Sequence, residues 1–432
     1  MQTDCFPDSF GAWPRRPMSE LANINPRYAM KKGRQYPFVE MAAVGENFAG
    51  ILQFETRSLE GSGLSRFKAG DTLFAKITPC PENGKVAFVT SLPDVVGLGS
   101  TEFIVLSPRP DVVPRFLYHL ACSHAVRGRA AARMEGSTGR QRVPEEVFTK
   151  WLLVPVPDGD EQAAIARILD GVDTALERTR AAIEQVRQVK RSVVHRFFYD
   201  ALGETAYADR PRRNLPPGWA LVATEHLLAE EPKNGVSPET SSQPPGIPTF
   251  SIAAIRDGRV DLGNRDNLKY ARVSETVAQR FGIQSGDVLI VRGNANADLV
   301  GKAGMVSASP QGCIYPDIAK RVVFRNDAEV TVSPEFAVVT WNHAIVHNQV
   351  LRRAKTSNGT LKINNRDVKQ IVIPVPPRKE QEQLIRIIRG VDALIDALTS
   401  VSAAQEELKG ALMHDLLTGR VRVRDVAQAA SS

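Results

Sequence analysis

Complete catalytic motifs are absent from this sequence of 432 residues. It lacks both the G-x-x-x-x-G-K-[ST] loop that holds nucleotide phosphates and a G-x-G-x-x-G loop after a strand. Asn25-Pro-Arg-Tyr28 is close to the Asp/Asn-Pro-Pro-aromatic signature of amino-methyltransferases, but its third residue is wrong. Acidic-x-Lys triplets begin at Glu231, Asp367 and Glu407, and none has a Pro-Asp within thirty residues upstream, so the common nuclease pattern fails. The sequence therefore predicts a chain that is not itself an enzyme.

Histidine and cysteine offer few metal ligands. His343 and His347 lie four residues apart on a predicted helix, but no H-E-x-x-H glutamate or nearby cysteine accompanies them. His195 and His414 occupy equivalent positions in an internal repeat, where packing or a partner contact explains them better than catalysis does. We therefore expect no metal site, no disulfide framework and a reducing compartment. The cysteines are scattered without a C-x-x-C pair: Cys5, Cys80, Cys122 and Cys313.

Cationic side chains offer the clearest candidate chemistry, which is contact with a polyanion. The net charge of +7 and the pI of about 9.2 favour nucleic acid as a partner, and a solvated cationic surface is the alternative. Phosphate contacts would set affinity and base-edge hydrogen bonds specificity, with Arg suited to guanine and Asn or Gln to adenine. The candidate DNA-binding cations are Lys76, Lys85, Arg140, Arg142, Arg292, Lys302 and Lys362, and the candidate base readers are Gln141, Asn294 and Asn296.

These candidates belong to a chain that contains one long stretch twice. Residues 154–162, which read Val-Pro-Val-Pro-Asp-Gly-Asp-Glu-Gln, recur at 373–381 as Ile-Pro-Val-Pro-Pro-Arg-Lys-Glu-Gln, displaced by 219 positions without a gap. The register holds through Gly171-Val-Asp173 and Gly390-Val-Asp392. Fixed-offset similarity of this kind divides the protein into two halves.

Each copy of the repeat predicts a long helix. Its apolar residues recur at alternating steps of four and three, which is the a/d seam of a coiled coil. About forty helical residues span roughly 60 Å, so the seam needs a partner; the other copy is the obvious one, and an exposed stripe is left for another protein. Lys190 and Lys409 interrupt the seams at matched positions, as polar residues that fix register do. An amphipathic helix on a globular core is the alternative. The predicted seam residues are Ile165, Leu169, Val172, Leu176, Ile183, Leu384, Ile388, Val391, Ile395 and Leu398.

The segments before the two helices predict mixed α/β domains. In the first, β-type runs at 48–54, 71–77, 85–90 and 102–106 precede a predicted helix from Pro114 to Arg133. The Gly70-Asp71-x-Leu73 strand start has a counterpart in Gly286-Asp287-x-Leu289, and loop 137–143 has one in loop 357–363. The predicted boundaries are 1–153 and 206–372 for the domains, 154–205 and 373–420 for the helices, and 421–432 for a flexible tail, with a Pro/Arg-rich linker at 209–217.

The sequence carries no signal for a membrane or for secretion. No apolar run reaches eighteen residues, and Pro and Asp occupy the N-terminus where a signal peptide would have an apolar core. We therefore expect a soluble cytoplasmic protein.

At this point the sequence resembles the specificity subunit of type I restriction–modification systems, over nearly its full length. The resemblance rests on the paired Pro-Val-Pro…Glu-Gln helices with Gly-Val-Asp, on Leu215-Pro-Pro-Gly-Trp219, on the Gly-Asp-x-Leu strand starts and on Leu416-Leu-Thr-Gly-Arg420. Each motif is unspecific alone, but their order and duplicated spacing are together highly specific.

The resemblance implies an α+β fold: two mixed α/β target-recognition domains separated by two long antiparallel coiled-coil helices, with a pseudo-two-fold internal repeat. It implies a non-catalytic subunit of a phage-defence complex that reads a bipartite, asymmetric double-stranded DNA target. The helices would dock two methyltransferase subunits, which bind S-adenosylmethionine, and motor-nuclease subunits would join for cleavage. No cofactor is expected in this chain.

Two other classes of function stay open from the sequence. One is a stand-alone DNA methyltransferase or restriction enzyme with its own recognition domains, against which the missing cofactor motifs and the limited chain length speak. The other is a coiled-coil scaffold whose globular ends bind protein. Its affinity for duplex DNA would lack a steep dependence on salt.

Overall fold

The computed structural model describes residues 3–4, 13–60, 63–137, 140–203, 215–308, 312–325, 327–357 and 359–423. Its chain divides into two compact units, of which the first comprises Met1–Ala182 with Leu398–Ser432 and the second Ile183–Ala397. The predictions made for Cys5, for the loop positions 138, 139 and 358, for the linker at 209–214 and for the tail from 424 lie outside the described residues.

The first unit contains a globular domain built mainly of short strands. Its helices are α1 (Met18–Leu21), α2 (Pro114–Cys122), α3 (His124–Ala131) and the beginning of α4 (Gly159–Leu202). Its strands are β1 (Thr3–Asp4), β2 (Arg15–Pro17), β3 (Ala22–Ile24), β4 (Gln35–Val39), β5 (Glu55–Ser58), β6 (Ser65–Phe67), β7 (Thr72–Ala75), β8 (Val86–Phe88), β9 (Gly97–Gly99), β10 (Phe103–Pro108) and β11 (Leu152–Pro155).

The strands of this domain form three small sheets. Their orders are β3-β10-β7-β8, β5-β4-β9-β6 and β1-β11-β2. Strand β10 pairs antiparallel with β3 and with β7, where Phe103 lies opposite Ala75. Every residue of β7 is buried, because one of its faces packs with α2 and the other with the residues around Phe67. The domain core therefore lies on both faces of the β10–β7 pair.

Two expectations for this domain are wrong. The predicted helix from Pro114 to Arg133 breaks at Ser123, whose extended backbone ends α2 and whose hydroxyl accepts the Val126 N–H as the cap of α3. The β-type run at 48–54 forms no strand, because Phe48 (φ 61°) and Gly50 (φ 79°) adopt left-handed backbone that cannot join a sheet ladder.

The second unit contains the second domain. Its helices are α5 (Thr224–Leu227), α6 (Glu275–Arg280), α7 (Pro334–Asn342), α8 (Ala344–Arg353), α9 (Asn365–Lys369) and the beginning of α10 (Arg378–Thr418). Its strands are β12 (Ala220–Ala223), β13 (Lys233–Asn234), β14 (Thr240–Ser241), β15 (Ile247–Phe250), β16 (Ile255–Arg256), β17 (Arg259–Val260), β18 (Leu268–Ala271), β19 (Val288–Val291), β20 (Gly293–Asn294), β21 (Ala303–Val306), β22 (Ala319–Val322), β23 (Lys355–Ser357), β24 (Thr360–Lys362) and β25 (Val372–Val375).

The largest sheet of the second domain has six strands in the order β13-β22-β19-β21-β17-β16. Smaller sheets have the orders β14-β18-β15, β20-β24-β23 and β12-β25. Strand β19 is buried throughout and pairs antiparallel with β21 and β22, so it holds the place in this domain that β7 holds in the first.

The repeated Gly-Asp motif explains why β7 and β19 begin alike. Gly70 (φ 91°) and Gly286 (φ 93°) take the left-handed conformation that glycine adopts without a steric cost. Asp71 then accepts the Lys68 N–H at 2.9 Å, and Asp287 accepts the Gln284 N–H at the same distance. The motif therefore encodes one turn twice, immediately before a buried strand.

The two long helices begin and end on local signals. Asp158 accepts the Glu161 N–H at 3.0 Å, and acidic residues occupy the first turn of α4, where they complement the helix dipole. Gly203 (φ 70°) and Gly419 (φ 74°) follow the last residues of α4 and α10 in the left-handed conformation typical of helix C-termini. With 44 and 41 residues, both helices reach the predicted length.

Segments of the two helices run antiparallel within each unit. In the first unit Asp173 pairs with Lys409 and Arg180 with Glu406. The residue number therefore rises along α4 where it falls along α10. In the second unit Lys190 pairs with Asp392. The predicted α+β fold with two long antiparallel helices and an internal repeat is confirmed. Within the described chain, no helix combines the length and the apolar character needed to cross a bilayer.

The predicted seam residues differ in burial along each helix. Ile165, Leu169, Leu176, Ile183, Leu384 and Ile388 are buried, whereas Val172, Val391, Ile395 and Leu398 are half-buried. The buried ones near each helix start belong to the same apolar clusters as their domain: Ile165 and Leu169 with Phe116, and Leu384 and Ile388 with Phe336. Each helix start is therefore part of a domain core.

Candidate functional site

A buried glutamine fastens each domain to the long helix that follows it. Gln162 Oε1 accepts the Val113 N–H at 2.9 Å, immediately before α2. Gln381 Oε1 accepts the Ser333 N–H at 3.0 Å, immediately before α7. The side-chain NH₂ group of Gln162 donates to the Pro157 carbonyl, and that of Gln381 donates to two backbone carbonyls. The Gln of the repeated Glu-Gln motif thus has a structural role that the sequence did not reveal.

The glutamate of the same motif receives a different partner in each unit. Glu161 is buried and accepts hydrogen bonds from the Arg422 guanidinium, of which the shortest is 2.6 Å from Nη2, and from the Val423 N–H at 3.1 Å. Glu380 accepts the Trp219 indole N–H at 3.1 Å. Trp219 of the Pro-Pro-Gly-Trp motif therefore links the second domain to the first turn of α10 by a hydrogen bond.

A polar layer interrupts the apolar contact between the helices in each unit. Lys409 Nζ lies 2.5 Å from Asp173 Oδ1 in the first unit, and Lys190 Nζ lies 2.6 Å from Asp392 Oδ1 in the second. Each Lys and each Asp has its repeat equivalent 219 positions away, so the same pair forms twice with the helices exchanged. Another antiparallel register would separate these charges, which is how such a layer specifies alignment.

A residue of the globular domain contacts each polar layer. In the first unit the Lys409 ammonium lies 4.9 Å from the centre of the Phe48 ring, a cation–π distance. In the second unit Arg259 contacts Asp392 at 3.6 Å and Asp396 at 2.8 Å. Each domain is therefore braced against both helices through the layer, by different residues in the two units.

His119, Asp170 and Asp173 bring three potential metal-ligating atoms within 4.8 Å of one another. His119 Nε2 lies 2.7 Å from Asp170, which also accepts the Arg115 guanidinium, while Asp173 holds Lys409. Burial raises the pKa of Asp170, but the hydrogen bonds from His119 and Arg115 outweigh it and hold this pKa at about 2. Both carboxylates are thus neutralised by protein cations, and the cluster is an ion-pair network.

The histidines that sequence spacing singled out do not converge on one site. His343 caps α8, and its ring is tilted against that of His195, with ring centres 5.8 Å apart. Burial, together with the nearby His195, lowers the pKa of His343 to about 4. His347 lies inside α8, and burial lowers its pKa. The contact between the His195 and His343 rings fits the packing explanation for His195.

The predicted DNA-binding cations fall into two groups in each domain. One group lies where β7 and β19 end. The Lys76 carbonyl accepts the Val143 N–H, next to Arg142, and the Arg292 carbonyl accepts the Ile363 N–H, next to Lys362. The structure therefore brings Lys76 to Arg142 and Arg292 to Lys362, residues about 66 to 70 positions apart in sequence.

The other predicted cations, Lys85, Lys302 and Arg140, lie outside these strand-end pairs. Lys85 follows Gly84, whose carbonyl accepts the Phe48 N–H, and Lys302 follows Gly301, whose N–H donates to the Val291 carbonyl. Burial lowers the pKa of Lys302. Arg140 is exposed on the loop before Arg142.

Several candidate polar contacts are already engaged inside the domains. Arg142 donates to Glu102 from Nη2 at 2.7 Å and from Nε at 2.9 Å, and Arg292 lies 2.5 Å from Asp317. The side-chain oxygens (Oδ1) of Asn294 and Asn296 each accept the backbone N–H two residues onward. Their side-chain NH₂ groups remain as the donors for a ligand. The Gln141 side chain is half-buried, and its backbone carbonyl accepts the Thr78 N–H.

Lys320 is a buried cation that sequence reasoning missed. Its side chain in β22 is 2% exposed, and Nζ contacts Asn234 at 2.5 Å and Asn365 at 2.6 Å. Burial, with Arg292 nearby, lowers its pKa to about 8. The available signal was a lysine inside an apolar strand-like run, at 318–324.

An apolar stripe on the long helices lies beside the seam and stays exposed. Its members are 37–53% exposed and, on α10, recur every seven residues: Ile168 and Val189 on α4, and Ile387, Leu394, Val401 and Leu408 on α10. Val189 and Ile387 border a groove of about 740 Å³ in the second unit. We refer to these six residues as the exposed stripe.

Comparison with known proteins agrees with the sequence motifs, although no protein-family model matches the chain. The specificity subunit of the type I restriction enzyme EcoKI from Escherichia coli (strain K12) is 25% identical over 335 residues, which are 74% of this chain and 69% of the relative. The type I restriction–modification S subunit from M. genitalium shares the fold with a TM-score of 0.54 at 14% identity, covering 95% of this chain and 97% of that one.

A further solved structure comes from work on complex assembly and conformational transition of the type I restriction–modification system. It has a TM-score of 0.53 at 21% identity and covers 96% of this chain and 100% of that chain. The likeness to solved structures shows the fold. Together with the curated relative, it confirms the resemblance to type I specificity subunits that the duplicated motifs indicated.

Proposed function

We propose, from this confirmed resemblance, that the chain is the sequence-specific DNA-binding subunit of a type I restriction–modification complex. Each domain would read one part of a bipartite target. The observation that carries the proposal is the duplicated construction: in each unit a mixed domain is stapled by a buried glutamine to an antiparallel pair of helix segments. The target is asymmetric in this proposal, because the two domains differ in their strands and loops.

The cations at the ends of β7 and β19 are the proposed DNA contacts. Arg142 and Lys362 are exposed, and Lys76 and Arg292 lie half-buried beside them. Arg142 and Arg292 are held by Glu102 and Asp317, so DNA phosphates would compete with these carboxylates. Such contacts supply affinity and orient the domain on the duplex, while base-edge hydrogen bonds supply the specificity.

The exposed stripe is the proposed dock for two methyltransferase subunits. Helical faces with apolar residues at heptad spacing bury themselves on a partner helix, and the stripe stays exposed after α4 and α10 have used their seams. S-adenosylmethionine would bind in those partner subunits, and motor-nuclease subunits would join through them. This chain would itself perform no catalysis.

Charge reversal at the strand ends tests the proposal. We expect Arg292→Glu with Lys362→Glu to weaken binding of target DNA and to abolish protection of one half of the target. Lys76→Glu with Arg142→Glu should do the same for the other half. Each lost phosphate contact lowers the slope of log K against log salt by about 0.9. Binding is measured by fluorescence anisotropy with the assembled complex.

Exposed Lys269→Glu in the second domain is the matched control and should leave the protected half unchanged. Exchanging residues 20–150 for the corresponding domain of another specificity subunit should change one half of the target only. The proposal is wrong if both halves change, or if the purified chain alone binds S-adenosylmethionine, which would favour a free-standing methyltransferase. Binding of duplex DNA without a salt slope would favour a protein scaffold.

A further inference from the structure

Each domain contacts the long helix that follows it through an ion pair at the same place in the repeat. In the first unit the second residue of α2, Arg115, donates from Nε to Asp170 on α4 at 2.8 Å. In the second unit the second residue of α7, Glu335, accepts Arg389 of α10 at 2.6 Å. Arg115 and Glu335 are 220 positions apart, and Asp170 and Arg389 are 219 apart. The positions are equivalent, but the sign of each partner is reversed.

The backbone around the two pairs is the same. Helices α2 and α7 each have nine residues with proline at the start, and each is stapled by its glutamine eight residues before the charged helix position. The charge reversal is therefore a difference between side chains in one structural setting. A first domain placed on α10 would set Arg115 against Arg389, and a second domain placed on α4 would set Glu335 against Asp170.

The first pair has little freedom to avoid a like charge. The Arg115 guanidinium lies 4.7 Å from the ring centres of both Phe88 and Tyr118, and Asp170 is further held by the buried ring of His119. These contacts fix the charges where the domain meets the helix.

We propose that the two ion pairs are a charge-reversed key that determines which recognition domain fits which long helix. The key stands on contacts within each unit, and its test does not depend on the proposed function. It acts as a specificity device: mismatched pairs bring like charges together, at a half-buried contact on α4 and at a more exposed one on α10. Like-charge contacts are among the means by which interfaces reject wrong partners.

The first experiment is a double-mutant cycle in the full natural chain. Glu335→Arg and Arg389→Asp should each lower the Tm of the second unit by about 2–4 °C, because each replaces the attraction by a like-charge contact in a unit of this size. The double variant, in which the ion pair is re-formed with its charges exchanged, should regain most of the lost Tm. The matched control is Lys379→Asp, an exposed lysine in the first turn of α10 that does not line the pocket of Glu335 and Arg389, and it should have the same effect with or without Glu335→Arg. Hydrogen exchange at residues 334–342 locates any change at α7.

The second experiment separates a specificity key from an ordinary ion pair. In a full-length chain whose residues 219–376 are replaced by a second copy of residues 13–157, Arg389→Asp should raise the Tm, whereas in the natural chain it lowers it. The same sign of effect in both chains would overturn the key. If the rearranged chain does not fold, the double-mutant cycle in the natural chain is the test. Strictly additive effects of Glu335→Arg and Arg389→Asp on the Tm would then reject the proposal.

Discussion

At the scale of single residues, Lys320 shows how a buried cation links stability to pH. From β22 its ammonium donates to Asn234 of β13 and to Asn365 of α9, and burial lowers its pKa from 10.5 to about 8. One pKa unit corresponds to 1.36 kcal/mol, so charged Lys320 costs the folded state on the order of 3 kcal/mol. The two amide oxygens reduce this cost but do not remove it.

The sign of the pH dependence follows from the lowered pKa. Below pH 8 Lys320 is charged in both states, and the folded state bears the full cost. Between pH 8 and about 10.5 the unfolded chain holds the extra proton, so the free energy of unfolding rises with pH. We predict that Lys320→Met removes this rise, as measured by urea unfolding at pH 7, 8, 9 and 10.

The control for this prediction is Lys269→Met, which removes an exposed lysine from the same domain and should keep the rise. The Met variant also leaves the Asn234 and Asn365 oxygens without their donor, which costs a pH-independent 1–3 kcal/mol or so. The slope with pH is therefore the readout. An unchanged slope in Lys320→Met would show that another group titrates.

At the scale of elements, the polar layers explain why two long helices with interrupted seams remain aligned. An apolar seam alone tolerates a shift by one heptad, because each knob finds a similar hole seven residues away. A shift of that size would part Lys409 from Asp173, leaving one buried and one half-buried charge without its partner. The layer thus trades some stability for a defined register.

We predict that Lys409→Met lowers the free energy of unfolding by about 1–3 kcal/mol, because Asp173 keeps its charge and loses its ammonium partner. Adding Asp173→Leu should recover most of the loss, since an apolar pair fits the seam. Urea unfolding at pH 7 measures both.

The repeat supplies the matched comparison. Lys190→Met should cost less than Lys409→Met, because Asp392 retains Arg259 at 3.6 Å. Equal losses from the two lysine variants would mean that Arg259 does not support Asp392, and the brace from β17 would have to be reconsidered.

At the scale of the whole molecule, the long helices carry two apolar faces with different expected roles. The seam residues Ile183 and Leu398 are buried and half-buried, whereas Leu394 and Leu408 of the exposed stripe are about half exposed. A charge introduced in the seam must disturb folding. A charge introduced in the stripe meets water unless a partner covers it.

We predict that Ile183→Asp with Leu398→Asp lowers the Tm and abolishes assembly with methyltransferase subunits. Leu394→Asp with Leu408→Asp should leave the Tm within about 2 °C, as surface substitutions do, and still abolish assembly. Differential scanning calorimetry and co-purification with the partner subunit measure the two effects. Retained assembly in the stripe variant would remove this face as the dock, and a large loss of Tm would show that it belongs to the core.

The sequence by itself determined the features that depend on local signals and on repetition. The 219-residue offset, the four-and-three spacing of the seams and the Gly-Asp strand starts are properties of neighbouring residues, and each yielded an element where it was expected. The resemblance to type I specificity subunits followed from the same signals.

Only the tertiary structure decided how distant charges pair and where a regular pattern stops. Arg115 meets Asp170 across 55 positions and Lys190 meets Asp392 across 202, separations over which no sequence spacing predicts contact. The apolar face of residues 114–133 runs on past Ser123, yet the backbone turns there because a capped second helix packs Val126 into the core. Burial of a side chain depends on every element that packs around it, and for Lys320, Gln162 and Gln381 those elements come from distant parts of the chain.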